Sequence, residues 1–335
     1  MRAVRVVRPH EIEVAEVCDP EPAGAALVAV ERAGICGSDV KIANGITPVE
    51  YPRVLGHEVV GRVARSGPAG RFAAGTRVLV DPFRACARCP QCLADKANLC
   101  PRGELLGREV DGGFAEYVAA DEARLLAVPD EIATDDAGCA QVLGVCVHAQ
   151  RLIGVFPGQT GVVVGLGAGG LLHLQLLRAR GVREVVAVTR SAAKRALAAE
   201  LGATVVCHPD DAAAHVAKVT DGAGADIVVE AVGVGSTFRQ AVELAGPAGT
   251  VLLHGVMRTG PESFDFLPVY QKELTLVGCR AALPGDYATA LRLLATGSVL
   301  VAPMRSASYG LERGVAAFDD LQRNSDLVKV LLEIG

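Results

Sequence analysis

The segment from residue 161 to residue 180 limits the fold of this 335-residue chain more than any other. An apolar run, Val162–Val164, leads into Gly165-Leu-Gly167-Ala-Gly-Gly170, and a Leu-rich stretch follows. A strand, a G-x-G-x-x-G turn and a helix in this order bind a dinucleotide, because the glycines let the backbone approach the pyrophosphate at the helix N-terminus. The pattern predicts cofactor contacts at Gly165, Gly167 and Gly170. Close packing of the helix on the strand is the alternative reason for the glycines.

Hydrophobic periodicity divides the chain into two parts. Up to about Ala149, short Val-rich runs are punctuated by Gly and Pro, which indicates an all-β, barrel-like half. Beyond it, apolar strands alternate with Ala/Leu-rich helices, which indicates an α/β fold with a parallel sheet. The predicted strands are Met1–Val7, Ala26–Glu31, Val59–Val63, Arg77–Val80, Gly161–Gly165, Glu184–Val188, Ala225–Glu230, Thr250–Gly255 and Leu274–Gly278. The predicted helices are Thr134–Ile153, Gly169–Arg180, Ala192–Leu201, Phe238–Ala245 and Tyr287–Thr296.

The length and net charge of the chain exclude some classes of function. A length of 335 residues favours two domains, and 50% of the residues are hydrophobic, so each domain can bury a core. The net charge of −5, without a run of Lys or Arg, argues against a nucleic-acid partner. The N-terminal residues lack the apolar stretch of a signal peptide, and no segment suits a membrane span. We therefore expect a cytoplasmic protein with no membrane partner.

Four of the ten cysteines form the strongest local motif, with the spacing Cys86-x2-Cys89-x2-Cys92-x7-Cys100. Four thiolates this close in sequence can close a tetrahedral site with no open position, as structural zinc requires. An iron–sulfur cluster is the main alternative, because Pro101 follows the last cysteine, but ferredoxin runs have three residues in the final gap. Cysteines in a chain without a secretion signal favour metal sites and free thiols over disulfides. The lobe of residues 86–100 is therefore predicted to bind a structural zinc.

A second candidate metal site combines Cys36 with the adjacent residues His57 and Glu58. A thiolate, an imidazole and a carboxylate are ligands of the kind that catalytic zinc uses, with a fourth position open to water or substrate. Adjacent residues point to opposite faces of an extended strand, so a bend is needed, and Gly56 and Gly61 flank the pair. Taken alone, the set is weak, because a cysteine in an apolar stretch is more often a small buried residue.

The residues after the second predicted strand of the α/β half bear on the choice of dinucleotide. NAD sites usually carry an Asp or Glu about twenty residues after the glycine motif, where it binds the ribose 2′-hydroxyl. This chain has Arg190 and Ser191 there, followed by Lys194 and Arg195. Cations and a hydroxyl would bind a 2′-phosphate, which a carboxylate would repel. The pattern favours NADP(H) over NAD(H), and a solvated basic helix start is the alternative.

In this order the motifs resemble the zinc-containing medium-chain dehydrogenase/reductase family, which includes alcohol, polyol and threonine dehydrogenases. The resemblance covers essentially the whole chain and rests also on Gly34–Asp39, Asp111–Tyr117 and Lys272–Gly278. It implies a GroES-like β-barrel catalytic domain at residues 1–149 and 284–335, which includes the zinc lobe. It also implies a Rossmann doubly wound parallel-sheet domain at residues 150–283.

The resemblance also assigns roles to single residues. Cys36, His57 and Glu58 would hold a catalytic zinc, and Ser38 would begin the proton relay, so Ser38 and Glu58 are the predicted catalytic residues. Arg280 would contact the cofactor.

Two positions depart from the family pattern. Lys41 stands where many relatives have a histidine that passes the proton to solvent. Gln141 stands where polyol and threonine dehydrogenases have a glutamate and alcohol dehydrogenases a cysteine. The zinc would then have one less negative charge around it than in relatives with glutamate. A slip of one or two residues in this comparison would instead make Cys139 the ligand.

The predicted activity is hydride transfer between NADP(H) and a secondary alcohol or ketone, with a polyol, cyclitol or sugar-derived substrate. Reduction of a carbonyl compound in biosynthesis is the alternative direction. An NADPH-binding protein with only the structural zinc, acting as a sensor or structural subunit, is the alternative function. Lys41 and Gln141 favour that alternative, and the complete set of candidate ligands argues against it. The resemblance further implies a homodimer or homotetramer.

Several other histidines and cysteines are expected to have no chemical role. His173 is predicted to pack in an apolar helix, and His254 has no partner pattern. Cys18, Cys207 and Cys279 are predicted to be core thiols.

Overall fold

The computed structural model describes residues 1–21, 24–258, 260 and 263–335. The chain divides into two compact units. The first unit comprises Met1–Gly144, Leu283–Thr296 and Arg305–Gly335, and the second comprises Val145–Ala282 and Gly297–Met304. The assignment of a catalytic role to residues 1–149 and 284–335, and of a cofactor-binding role to residues 150–283, stays a prediction.

Strands and short helices make up the early part of the described chain, and strands alternate with longer helices in its middle part. The strands are β1 (Arg2–Arg8), β2 (Glu11–Glu16), β3 (Ala26–Ile35), β4 (Arg53–Val54), β5 (Glu58–Arg65), β6 (Arg77–Val80), β7 (Phe83–Arg84), β8 (Glu104–Leu105), β9 (Tyr117–Ala120), β10 (Leu125–Ala127), β11 (Thr160–Val164), β12 (Glu184–Val188), β13 (Val205–Cys207), β14 (Ala225–Glu230), β15 (Ala245–Leu253), β16 (Thr275–Gly278), β17 (Arg305–Gly310) and β18 (Lys329–Glu333). The helices are α1 (Gly37–Ala43), α2 (Pro90–Leu93), α3 (Thr134–Ala137), α4 (Ala140–Arg151), α5 (Ala168–Ala179), α6 (Ala192–Glu200), α7 (Ala212–Val219), α8 (Gly235–Leu244), α9 (Leu267–Gln271), α10 (Pro284–Ala295) and α11 (Gly314–Arg323).

The first unit is a mostly antiparallel β structure. Its main sheet has the order β10-β6-β5-β3-β18-β17, with β9 also paired to β3, and a second sheet has the order β2-β1-β4. Alternate residues of these strands point inward, and side chains such as Val28, Val59 and Val330 are fully buried. Phe114 and Phe318 meet edge to face in the core, with ring centroids 6.1 Å apart. The barrel-like half is confirmed.

The second unit is a parallel sheet of the doubly wound type. Its strand order is β13-β12-β11-β14-β15-β16, and every pairing in it is parallel. The central strands are continuous apolar runs with both faces covered, and Val162, Val186 and Val228 are fully buried. The order reverses at β11, so the crevice at the carboxyl ends of β11 and β14 is where such folds bind ligands. The predicted α/β fold class is confirmed.

Most predicted elements begin and end within four residues of their bounds in the structure, and two differ more. The helix predicted over Thr134–Ile153 is interrupted at Gly138 and Cys139, between α3 and α4. Asp135 in α3 binds both Arg32 and Arg305 at 2.7 Å, so contacts with distant strands fix this first turn. The strand predicted over Thr250–Gly255 begins five residues earlier, because Ala245 already pairs with the start of β14.

The structure also shows whether two cysteines predicted to lie in the core are buried. Cys18 is exposed, so its prediction as a core thiol was wrong, whereas Cys207 is buried, as predicted.

Among the helices of the described residues, none is long and apolar enough to cross a membrane.

Candidate functional site

The three ligands proposed for a catalytic metal converge where β3 ends and β5 begins. Cys36 follows β3 and is the N-cap residue of α1, while His57 directly precedes Glu58, the first residue of β5. The two strands are antiparallel, with Gly34 opposite Glu58, which brings the end of one beside the start of the other. Ligand atoms of Cys36, His57 and Glu58 all lie within 4.8 Å of one another.

A bend before β5 lets adjacent residues face one point. Gly56 has a φ of +97°, a conformation that favours glycine, and a Cβ there would lie 2.4 Å from the ring of Phe114. The extended strand therefore starts only at Glu58, and His57 is free of the alternation that strand geometry imposes.

Asp39 contacts the His57 ring on the Nδ1 side, a role that was not predicted from the sequence. Its fully buried carboxylate accepts hydrogen bonds from the backbone N–H groups of Cys36 (2.9 Å) and Gly56 (3.4 Å), and lies 3.3 Å from His57 Nδ1. Burial alone would lower the pKa of His57, but the charge and hydrogen bond of Asp39 raise it well above its ordinary value. A carboxylate on Nδ1 orients the ring and directs Nε2 toward a metal. The spacing of Asp39, three residues after an N-cap position, is the signal that could have identified it.

Lys329 is a second residue that the sequence analysis missed. Its ammonium, on β18, forms an ion pair with Glu58 Oε2, and both side chains are about as buried as a core residue, at 2% and 1% exposure. A Cβ at Gly34 would lie 2.5 Å from Lys329 Nζ, so only glycine leaves room for the pair. A lysine inside the apolar run Val328–Leu332 is the local signal, because a buried ammonium needs a charged partner.

Ser38 lies next to the candidate ligands. It is the second residue of α1, and its hydroxyl is 3.4 Å from His57 Nε2. The nitrogen that Asp39 leaves available therefore has the serine hydroxyl beside it. Proton transfer takes place over heavy-atom contacts of about 2.6–3.2 Å, and this contact is slightly longer.

Gln141 and Cys139 have separate environments. The Gln141 amide is buried and its Nε2 lies 3.5 Å from the hydroxyl of Tyr287, which is also buried. Burial raises the pKa of Cys139 to about 12, so its thiol is a poor source of a thiolate. The group of ligand atoms around Cys36 contains His57 and Glu58 and, in the part of the chain that the structure describes, does not include Cys139.

The four cysteines of the lobe come together as one tight group. Sγ of Cys89 lies 3.4 Å from Sγ of Cys92 and 3.8 Å from Sγ of Cys100, and all four ligand atoms lie within 4.8 Å of one another. Tetrahedral zinc with bonds of about 2.3 Å holds its sulfurs about 3.8 Å apart. The group therefore has the size of a site for a single ion, whereas a multi-iron cluster needs more widely spaced sulfurs.

The lobe also has donors that stabilise thiolates. The pKa of Cys86 is lowered to about 5, chiefly by the backbone N–H of Arg88 and then by the guanidinium of Arg102, 3.3 Å from the sulfur. Burial and the neighbouring sulfurs raise the pKa of Cys92 to about 11. A metal that binds all four sulfurs would therefore have to displace protons, as structural zinc does.

The three motif glycines meet different steric conditions. A Cβ at Gly165 would lie 2.3 Å from Val232, and one at Gly170 would lie 1.9 Å from the carbonyl oxygen of Gly165. Nothing lies within 4 Å of a Cβ built on Gly167, the N-cap residue of α5. Packing therefore explains Gly165 and Gly170, and the open surface at Gly167 is the place where a ligand could approach the helix N-terminus.

The residues after β12 form a cationic helix start. Arg190 is exposed, and Ser191 is the N-cap residue of α6, whose hydroxyl accepts a hydrogen bond of 3.1 Å from the Lys194 backbone N–H. Arg195 instead braces the turn, because its guanidinium donates to the carbonyl oxygens of Thr189 and Arg190. Arg280 lies exposed, two residues after β16.

His254, for which the sequence shows no partner pattern, contacts two other side chains in the structure. Its ring meets that of His173 edge to face with centroids 4.5 Å apart, and its Nδ1 lies 3.8 Å from Cys279 Sγ. The two histidines are 81 positions apart in sequence, too far for a local pattern to connect them.

The motif glycines can be tested as a pair. We expect Gly170→Ala to lower the free energy of unfolding by about 1–3 kcal/mol, because the new methyl overlaps a backbone oxygen. Gly167→Ala should change the free energy of unfolding by less than about 1 kcal/mol. The same substitution should weaken dinucleotide binding about tenfold or more. Chemical denaturation and a fluorescence titration with NADPH measure the two effects. Equal stability losses in the two variants would contradict this distinction.

The role of Asp39 can be tested by Asp39→Asn, which keeps the shape and removes the charge. We expect zinc affinity at the Cys36 site to fall about 10- to 100-fold, as for other carboxylates behind a histidine ligand. Competition with a chromophoric chelator measures it, and the four-cysteine lobe provides an internal reference. Asp319→Asn, at a half-exposed position on α11, is the matched control. Unchanged affinity in Asp39→Asn would rule out an orienting role.

Comparison with known proteins places the chain in a family. Residues 22–130 match the family described as Alcohol dehydrogenase GroES-like domain, and residues 168–296 match Zinc-binding dehydrogenase. L-galactonate-5-dehydrogenase of Escherichia coli strain K12 is 31% identical over 308 residues, which are 91% of this chain and 90% of that protein.

Solved structures agree over the full length. A zinc-binding dehydrogenase of Sinorhizobium meliloti 1021, bound to NADP, is 35% identical, with a TM-score of 0.91 over 99% of this chain and 98% of that one. The alcohol dehydrogenase rspB of Escherichia coli CFT073, in complex with NADH, is 26% identical, with a TM-score of 0.92 over 99% of both chains. The protein thus belongs to the zinc-containing medium-chain dehydrogenase/reductase family and combines a GroES-like domain with a Rossmann domain.

Proposed function

We propose that the protein catalyses reversible hydride transfer between NADP(H) and a secondary alcohol or ketone of a polyol, cyclitol or sugar-derived substrate. The observation that carries this proposal is the convergence of Cys36, His57 and Glu58 within 4.8 Å, with the hydroxyl of Ser38 beside His57. A thiolate, an imidazole and a carboxylate around one point are the donors of a catalytic zinc site, and they leave one position for substrate.

The donor sets fit two zinc ions with different roles. Cys36, His57 and Glu58 would hold the catalytic ion, and Cys86, Cys89, Cys92 and Cys100 would hold the structural one. The catalytic zinc supplies Lewis acidity to an alcohol or carbonyl oxygen. A structural zinc at these cysteines would close the loop between β7 and β8, where Phe83 packs in a small buried cluster with Cys89 and Cys100.

The surrounding residues prepare the site for this chemistry. Asp39 fixes the His57 ring through Nδ1 and so leaves Nε2 for ligation. Ser38 is positioned to accept the proton that an alcohol loses on oxidation, and to return it during reduction. Lys329 compensates the charge of Glu58, which keeps the total charge of the buried site close to neutral once a doubly charged ion binds.

The substrate class is inferred from the ligand set and from relatives. A Cys-His-Glu set resembles that of the polyol branch, and the relative L-galactonate-5-dehydrogenase is named for oxidation within a polyhydroxy acid. A neutral Gln141 in place of a carboxylate leaves the charge at the metal less compensated. This would increase its pull on the substrate oxygen.

The cofactor preference is inferred from the end of β12. Arg190 and Ser191, with Lys194 one turn later, stand where an NAD site has a carboxylate. The Sinorhizobium meliloti neighbour was solved with NADP and the rspB structure with NADH, so this family accommodates both. The cationic composition of this chain supports NADP(H).

Cys36→Ser tests the catalytic zinc. We expect turnover to fall about 10³-fold or more, because several kcal/mol of transition-state stabilisation depend on the metal. NADPH binding should stay within about twofold of wild type. Steady-state kinetics on a polyol panel and fluorescence titration measure these quantities, and Cys18→Ser, at an exposed cysteine, is the control. Wild-type turnover in Cys36→Ser would refute the assignment, and a wild-type protein that binds NADPH without any turnover would favour the sensor or structural subunit.

Arg190→Asp tests the cofactor preference. Loss of a charge-assisted contact worth about 1.5–3 kcal/mol should shift the ratio of kcat/KM for NADP over NAD about 10- to 100-fold toward NAD. Arg183→Asp is the matched control, because Arg183 is also exposed but precedes β12, at the opposite end of the strand. An unchanged ratio in Arg190→Asp would exclude this residue as the 2′-phosphate contact.

A further inference from the structure

Three polar side chains of the second unit converge away from both proposed zinc sites. Cys146 lies on α4, His173 on α5, and His254 directly after β15. One ligand atom of each lies within 4.8 Å of the other two. Cys146 and His173 are fully buried, and His254 is partly exposed.

In each of the two histidines, the Nδ1 atom contacts a side chain outside the cluster. His254 Nδ1 lies 3.8 Å from Cys279 Sγ, and His173 Nδ1 lies 3.2 Å from Gln150 Nε2. Nε2 of each ring therefore remains for the cluster. His173 Nε2 is buried and has no hydrogen-bond partner among the described residues. A buried polar atom without a partner is unfavourable, so it indicates a ligand at this place.

The cluster carries little charge of its own. Burial lowers the pKa of His254 to about 4, and burial together with the charge of His254 lowers the pKa of His173 well below its ordinary value. Both rings are therefore neutral near pH 7, which is the form that binds metals. Within the described chain, no carboxylate belongs to this group of ligand atoms, so a Cys146 thiolate would be its one negative charge.

We propose that Cys146 Sγ and the Nε2 atoms of His173 and His254 bind one copper(I) ion. A soft thiolate with two imidazoles suits monovalent copper. One thiolate and Cu⁺ sum to zero charge, which a buried site favours, whereas Zn²⁺ with the same three ligands would leave a net positive charge. Three ligands around one such ion stand about 3.4–4 Å apart, within reach of the observed arrangement.

Binding at His173 Nε2 requires a proton on Nδ1. As placed, the amide nitrogen of Gln150 faces Nδ1 and also donates to the His173 carbonyl oxygen at 2.9 Å, while its Oε1 has no partner among the described residues. A half-turn of the amide places Oε1 against Nδ1, where it accepts a hydrogen bond from the Nδ1–H group, and the bond from Nε2 to the carbonyl oxygen is lost. Gln150, which would orient the His173 ring, is thus already in contact with it.

The backbone of Gly169 forms one wall of the cluster. Its carbonyl oxygen lies 3.6 Å from Cys146 Sγ, and a Cβ on Gly169 would lie 2.6 Å from His254 Nε2. Any side chain at this position would occupy the space between the ligands. The middle of the glycine motif thus leaves room for an ion as well as for close packing.

The test is an anaerobic titration of the zinc-loaded, full-length protein with copper(I) bicinchoninate. We expect wild type to withdraw one copper per chain without releasing zinc, and X-ray absorption to show one sulfur and two nitrogen ligands. Cys146→Ala and His254→Phe should lose this binding. Cys207→Ala, at another buried cysteine of the same unit, should retain it.

Any of four results would overturn the proposal. Wild type could leave all the copper with bicinchoninate, or it could release one zinc for each copper bound, which would place copper in the zinc sites. Copper binding that persists in Cys146→Ala would exclude the cluster as the copper site. The absorption spectrum of wild type decides the question even where a variant does not fold, because a sulfur-only shell would contradict the proposed ligands.

Discussion

The buried carboxylate of Asp39 is the interaction on which the candidate active site depends. It accepts backbone hydrogen bonds from Cys36 and Gly56 and contacts His57, so a single side chain ties the start of α1 to the start of β5. A buried carboxylate persists only where hydrogen bonds and opposite charge compensate it. Asp39 and the two segments therefore stabilise one another, and the ligands are held in place by the fold itself.

Charge compensation extends from this carboxylate through the rest of the site. Glu58 on β5 would add a negative charge to the shell of the metal, and Lys329 on β18, at the other side of β3, offsets it. Gln141 is neutral and interacts with Tyr287. A buried lysine thus lies beside one candidate ligand, and position 141 carries a neutral amide. Such a distribution tunes the acidity of the metal without a change in the three ligands.

Local patterns predicted much of the fold and the ligand types, whereas contacts between distant residues had to come from the structure. β12 and β14 have their predicted bounds, because each is an apolar run delimited by polar or glycine residues. The break between α3 and α4 was missed, since the ion pairs of Asp135 reach residues about 100 and 170 positions away. Lys329 was missed for the same reason, because Glu58 is 271 positions away.

The central claim is that the first unit carries an open catalytic metal site in addition to the closed cysteine lobe. Elemental analysis of zinc per chain, in wild type and in Cys36→Ser, tests it most directly. Two complete donor sets predict about two zinc ions in wild type and about one in the variant. About one zinc ion in both proteins would mean that only the lobe binds metal, and would contradict the account.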